Sequence, residues 1–273
     1  MYSIFHFWQN LFENKQKFKK VSKLAKFPFP GKMLSCVNEG VFPDLAIKIN
    51  KQGHLSGGEL VELKDSRVYN ISSFNSTIPT GKKNIRKIIA SESGIIFKQM
   101  QEAGDDVFSL EMRDVYYLVR GRKSRHQKIC LIHGSFFETI PAENLVGETF
   151  SQVVDEELNV PEINEDIKRI IKGALSRQDI FSRVRNVDKA SVSMRFRVLV
   201  EVKPDANILS PKQYPEILDD TLNLICPFHS EDEKEELISN VASVVGLEQL
   251  EKLNVFPIKH PLNGWFLVFQ TRL

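Results

Sequence analysis

Asp44, Glu62 and Lys64 are the residues whose types and spacing bear most directly on chemistry. A hard divalent cation such as Mg2+ is held by one or two carboxylates, with water and phosphate oxygens completing its octahedron. Phosphodiester hydrolysis needs such a cation, an attacking water and compensation for charge on the leaving oxygen. Asp44 and Glu62 are ligands of the right kind, and Lys64 adds a positive charge able to orient the water or offset phosphate charge. Glu39, five residues before Asp44, is an additional candidate acid, set against the ordinary reading of a surface glutamate.

Two strands must bring these groups together. From Asp44 to Ile49, Leu45, Ile47 and Ile49 alternate with Asp44, Ala46 and Lys48. From Leu60 to Lys64, Val61 and Leu63 alternate with Leu60, Glu62 and Lys64. The polar, Gly-containing stretch Asn50–Gly58 between them reads as a hairpin-like loop. A loop centred near His54 sets Asp44 opposite Lys64 and Ala46 opposite Glu62. Asp44 and Glu62 are then diagonal neighbours on one face, and the alternating apolar residues point to the other face, into a core.

Phe42-Pro43-Asp44 followed by Glu62-Leu63-Lys64 on the next strand resembles the PD-(D/E)xK nuclease motif, over about residues 42–87. The resemblance implies that Asp44 and Glu62 bind Mg2+ and that Lys64 assists the attacking water. It also implies a restriction-endonuclease-like α/β core, a mixed central β-sheet flanked by helices. Glu-x-Lys alone carries no weight, since it recurs at Glu13–Lys15 and Glu201–Lys203. Around Glu201 the Pro204-Asp205 pair follows instead of preceding, and no turn chemistry folds Asp188 back, so a solvated strand edge is the better reading there. Glu59, beside the Gly57-Gly58 turn, is expected to point away from Glu62.

Positive and hydroxyl-bearing residues supply candidate DNA contacts. Ser72, Ser73 and Asn75 lie in a polar loop that leads to Lys82 and Lys83 at the start of an expected helix, a setting suited to phosphate contacts. A polar loop with a helix cap explains the same residues without DNA. Arg120, Arg122, Lys123 and Arg125 crowd the expected tip of a hairpin, where they could neutralise phosphates or read a groove. A charged tip that only keeps the hairpin soluble is an equal reading.

The remaining elements frame these groups. Helices are expected over about residues 4–27, 82–100, 143–158, 165–187 and 232–245. Strands are expected over 114–119, 128–132, 191–203 and 265–270. The expected organisation is a catalytic core over 1–150, with 151–273 serving DNA recognition or dimerisation. The chain has 273 residues, 42% hydrophobic and 26% charged, an ordinary globular balance. The net charge of +2 says little about partners. No apolar run reaches bilayer length, the first residues lack a signal-peptide pattern, and Cys36, Cys130 and Cys226 form no metal or disulfide spacing. A cytoplasmic protein without a membrane association is expected. The six histidines are scattered and form no catalytic pattern, and no zincin spacing, Walker loop or dinucleotide fingerprint is present; Ser/His/Asp catalysis stays open on residue order, though nothing presents a strained nucleophile turn.

The expected activity is that of a type II restriction endonuclease, a Mg2+-dependent homodimer cutting double-stranded DNA at a specific sequence. A repair, phage or mobile-element nuclease, and a DNA-binding protein without catalysis, are the alternatives.

Overall fold

In a computed structural model of the chain, the residues described are 34–38, 41–49, 57–71, 73–75, 79–89, 91–138, 152–153, 155–156, 164–175, 187–189, 192–194 and 199–273. Three antiparallel strands open the fold, β1 (Leu34–Val37), β2 (Leu45–Ile47) and β3 (Leu60–Ser66). The β2–β3 link tightens at Gly57, whose φ is +67° and where a Cβ would strike the Lys48 carbonyl. Only glycine meets both conditions.

The chain then forms β4 (Ser73–Asn75), β5 (Lys82–Asn84), α1 (Ile85–Ile88) and α2 (Ile95–Glu102). It returns in β6 (Met112–Lys123), parallel to β3, and turns back through Ser124-Arg125 into β7 (His126–His133). Further on come α3 (Glu165–Leu175), β8 (Val187–Lys189), β9 (Val192–Met194) and β10 (Leu199–Glu201). β11 (Thr221–Phe228), α4 (Glu231–Val245), α5 (Leu247–Leu250), β12 (Asn254–His260) and β13 (Gly264–Arg272) close the chain.

The large sheet runs β1-β2-β3-β6-β7-β11-β13-β12, with β5 added to the start of β6. It mixes parallel pairs (β3 with β6, β7 with β11) and antiparallel ones, so a mixed α/β architecture with a central sheet and helices is observed. The chain divides into two compact units. One comprises residues 1–72, 79–137 and 202–273 and contains the large sheet; the other comprises 73–78 and 138–201 and contains the pairs β4–β10 and β8–β9.

Both faces of β2 and β3 are covered. Leu45 and Val61 join Leu118, Ile129 and Leu222 in a cluster on one face. Ala46 and Leu60, on the other face, are equally buried. On that side Gln99 of α2 accepts hydrogen bonds from Cys36 Sγ–H (3.1 Å) and the Val37 amide (3.2 Å), and Lys48 Nζ donates to the Ala103 carbonyl at the helix end (2.7 Å). One-sided burial, as expected from the alternation, is therefore corrected: a strand flanked on both edges and covered above and below buries consecutive residues.

Three element assignments also change. Residues 82–100 form a strand and two helices, not one helix, because Asn84 caps a new start by accepting from the Arg86 amide and the Ser91–Gly94 turn interrupts the run. The helix from Glu165 does not extend to Val187, which lies in β8. β11 and β12 were not expected, and each contains a proline. Pro227 lies beyond Ile225, the last β11 residue paired with β7, and Pro257 sits in the edge strand. Both are places where a missing amide is tolerated. The expected helices over 4–27 and most of 143–158 lie outside the described residues.

Candidate active site on strands β2 and β3

Leu45 pairs with Val61 and Ala46 with Leu60, so the same register carried one step back sets Asp44 opposite Glu62. The expected register, Asp44 opposite Lys64, is off by two residues. A shift of two leaves every side chain on its expected face, and it replaces a diagonal acid pair with a direct one.

The Leu63 amide donates to Asp44 Oδ2 at 2.8 Å, fixing the carboxyl against β3. Asp44 and Glu62 face each other across the strand pair, close enough for the Glu62 charge to act on the Asp44 carboxyl. Burial raises Asp44 from its ordinary 3.8 to about 6; the Leu63 amide opposes this and the Glu62 charge adds to it. Lys64 Nζ donates to Glu62 Oε1 at 2.9 Å, and both side chains are largely buried.

A fourth group enters from β5. Lys83 pairs with Arg113 of β6, and the sheet register puts it on the face that carries Glu62 and Lys64. Its Nζ lies 4.0 Å from the centre of the Phe42 ring. Burial lowers its pKa to about 8, partly offset by the charge of Glu62. Phe42 lies two residues before Asp44, joined to Pro43 by a cis peptide.

Comparison with family models, curated proteins and solved structures finds no match. What the arrangement can do is therefore read from its own geometry. Two carboxylates set opposite each other on adjacent strands form an oxygen-only donor pair. That suits a hard cation which keeps several waters and binds through one or two protein carboxylates. Among the described residues no group of three or more His, Cys, Asp or Glu side chains could hold a metal ion.

The remaining expected contacts divide by face and by pairing. Arg120, Arg122 and Lys123 lie on β6 and not in a loop; only Arg125 lies in the turn. Arg120 Nε and Arg122 Nη2 grip the two oxygens of Asp65 at 2.8 and 2.9 Å. Burial acts to raise Asp65, but hydrogen bonds and charge from the two arginines outweigh it and hold the carboxyl below its ordinary range. The β3–β6 register puts this clamp on the face opposite Glu62 and Lys64, so Arg120 and Arg122 do not join the acid pair. Lys82 also points away, toward Asp114 at 3.6 Å. Lys123 and Arg125 are exposed. Ser73 and Asn75 form β4 and pair with Glu201 and Leu199 of β10, in the smaller unit. Ser72 and Glu39 lie outside the described residues.

Sequence reasoning missed Phe42 and Asp65, and it placed Lys83 at the start of a helix as a phosphate contact, where the structure has strand β5. Asp65 had a signal, since it follows Lys64 on a strand and so must face away from it. His133, also unassigned, bonds Ser135 Oγ through Nδ1 (2.8 Å) and Asp114 through Nε2 (3.4 Å). The same Nδ1 accepts the Ser135 amide (3.4 Å), which ties the ring to capping the turn Gly134–Phe136.

Proposed function

We propose that this protein is a Mg2+-dependent nuclease that hydrolyses double-stranded DNA, with Asp44 and Glu62 as metal ligands and Lys64 at the attacking water. The observation that supports this most is the meeting of Asp44, Glu62 and Lys64 on one sheet face from adjacent strands. The same positions carry the PD-(D/E)xK resemblance. A restriction-endonuclease-like core, a homodimer and cleavage at a palindromic site extend the reading, because two-fold protein symmetry matches two-fold site symmetry.

When bound, Mg2+ would neutralise the scissile phosphate and acidify a water. The chain's own groups do the rest. The Leu63 amide holds Asp44 in position. Glu62 holds Lys64, whose ammonium can release toward a phosphate oxygen or the incoming water once Glu62 turns to the cation. The partial burial of Asp44, Glu62 and Lys64 strengthens each of these charge interactions.

The test is digestion of supercoiled plasmid with Mg2+ and with EDTA. Cutting is expected only with Mg2+. Glu62→Gln and Lys64→Ala should each reduce it by at least about 10²-fold while leaving the fold intact. Unimpaired cutting by both variants would remove the site. Mapping the fragment ends separates a site-specific enzyme from a repair or phage nuclease.

A further inference from the structure

Lys83 is not explained by the fold. Its neighbour Lys82 has a carboxylate partner on the opposite face and is mostly exposed, as a surface lysine is. Lys83 instead runs inward, and among the described residues it has no ion-pair partner of its own. Its nearest partner is the face of Phe42, 4.0 Å from Nζ, an attraction that leaves the N–H donors uncommitted. Glu62 is close enough to act on it by charge, yet Glu62 already accepts from Lys64. A partly desolvated ammonium without a carboxylate is costly unless an anion completes it.

We propose that Lys83 is a substrate-binding lysine of this site, its ammonium held over Phe42 to receive a non-bridging oxygen of the phosphodiester that Asp44 and Glu62 address. This rests on the nuclease reading and deepens it. Lys64 and Lys83 then divide the work. Lys64, once Glu62 turns to the cation, serves the water, while Lys83 grips the phosphate from the β5 side. Phe42 acts as a positioning residue, and its place two residues before Asp44 couples the lysine's location to that of the acid.

Two experiments test this on the full chain. In the first, plasmid cleavage with Mg2+ is compared among wild type, Lys83→Gln, Lys83→Arg and a surface control, Lys212→Gln. Lys83→Gln should lower kcat/KM by about 10²-fold, Lys83→Arg should recover most of that loss, and the control should match wild type. With a purely structural role, Lys83→Gln and Lys83→Arg would lose activity alike, and both would melt lower than wild type. In the second, wild-type lysines are acylated with and without plasmid and Mg2+ and read by mass spectrometry. Lys83 should be protected by DNA, and Lys212 should not.

Wild-type cleavage with an undiminished Lys83→Gln variant would overturn this inference and leave the nuclease reading standing. No wild-type cleavage, with Lys83 still protected by DNA, would overturn hydrolysis and keep the phosphate contact. No protection in either case would end the proposal.

Discussion

At the scale of single residues, the acid pair sets a pH dependence. Asp44 is raised from 3.8 to about 6, chiefly by burial, so its contribution to stability is complete below about 3.8 and is lost as pH rises through about 6. At neutral pH the protein without metal carries that loss. Asp44→Asn removes the titration yet keeps an oxygen for the Leu63 amide, so it should melt higher than wild type at pH 7.5, by about 2 kcal/mol, and equally at pH 4. Differential scanning calorimetry in EDTA reads this directly. Addition of Mg2+ should then raise the melting temperature of wild type and not of the variant, since only a ligand that binds the folded acid pair stabilises it. A lower melting temperature for Asp44→Asn at pH 7.5 would mean that the acid serves folding more than binding.

At the scale of elements, the site depends on how β2 ends. Asp105 and Arg113 form an ion pair with fully buried side chains, 3.3 Å apart. Asp105 also accepts the Ile49 amide (3.2 Å), and Arg113 donates to the Val107 carbonyl (2.9 Å). The pair thus pins the segment after β2 to the segment after α2. Removing one partner leaves a buried charge, so Asp105→Ala should cost about 3 kcal/mol in urea denaturation. A loss under about 1 kcal/mol would show that water reaches the pair. The arginine clamp on Asp65 belongs to this scale as well: two cations that looked available in the sequence are spent holding β6 against β3.

At the scale of the whole molecule, the sheet supplies the rigid frame. β6, β7, β11 and β13 are each flanked by strands on both sides, while β1 and β12 are the ends of the strand order. A buried polar row crosses this centre. Asn223 donates to the Ile129 carbonyl (3.2 Å) and accepts from Gln270 (2.9 Å), and Gln270 reaches the Glu216 carbonyl (3.0 Å). Amides of β6, β7, β11 and β13 should therefore exchange last with deuterated solvent, and those of β1 and β12 first. Equal protection of edge and centre would indicate that the edges are covered, for example by a second copy of the chain. No helix among the described residues is long and apolar enough to cross a membrane. Cys36, Cys130 and Cys226 are free and buried.

The alternation of Leu45 and Ile47, and of Val61 and Leu63, determined by itself that Asp44, Glu62 and Lys64 share a face, because side chains on a strand repeat every two residues. The same local rule gave β6, β7 and β13 in outline, and the 3.6-residue period of helices gave α4. Tertiary structure alone decided the register, which turned a diagonal acid pair into a facing one, since loop length does not count hydrogen bonds. It also decided which cations are available. Lys82 and Lys83 are neighbours in sequence, yet one meets Asp114 and the other Phe42 and Glu62, because a strand sends adjacent side chains to opposite faces and only the packed sheet says what waits on each. β11 and β12 stayed hidden for a related reason. Proline reads locally as a breaker, and its tolerance at Pro227 and Pro257 depends on where the neighbouring strand ends.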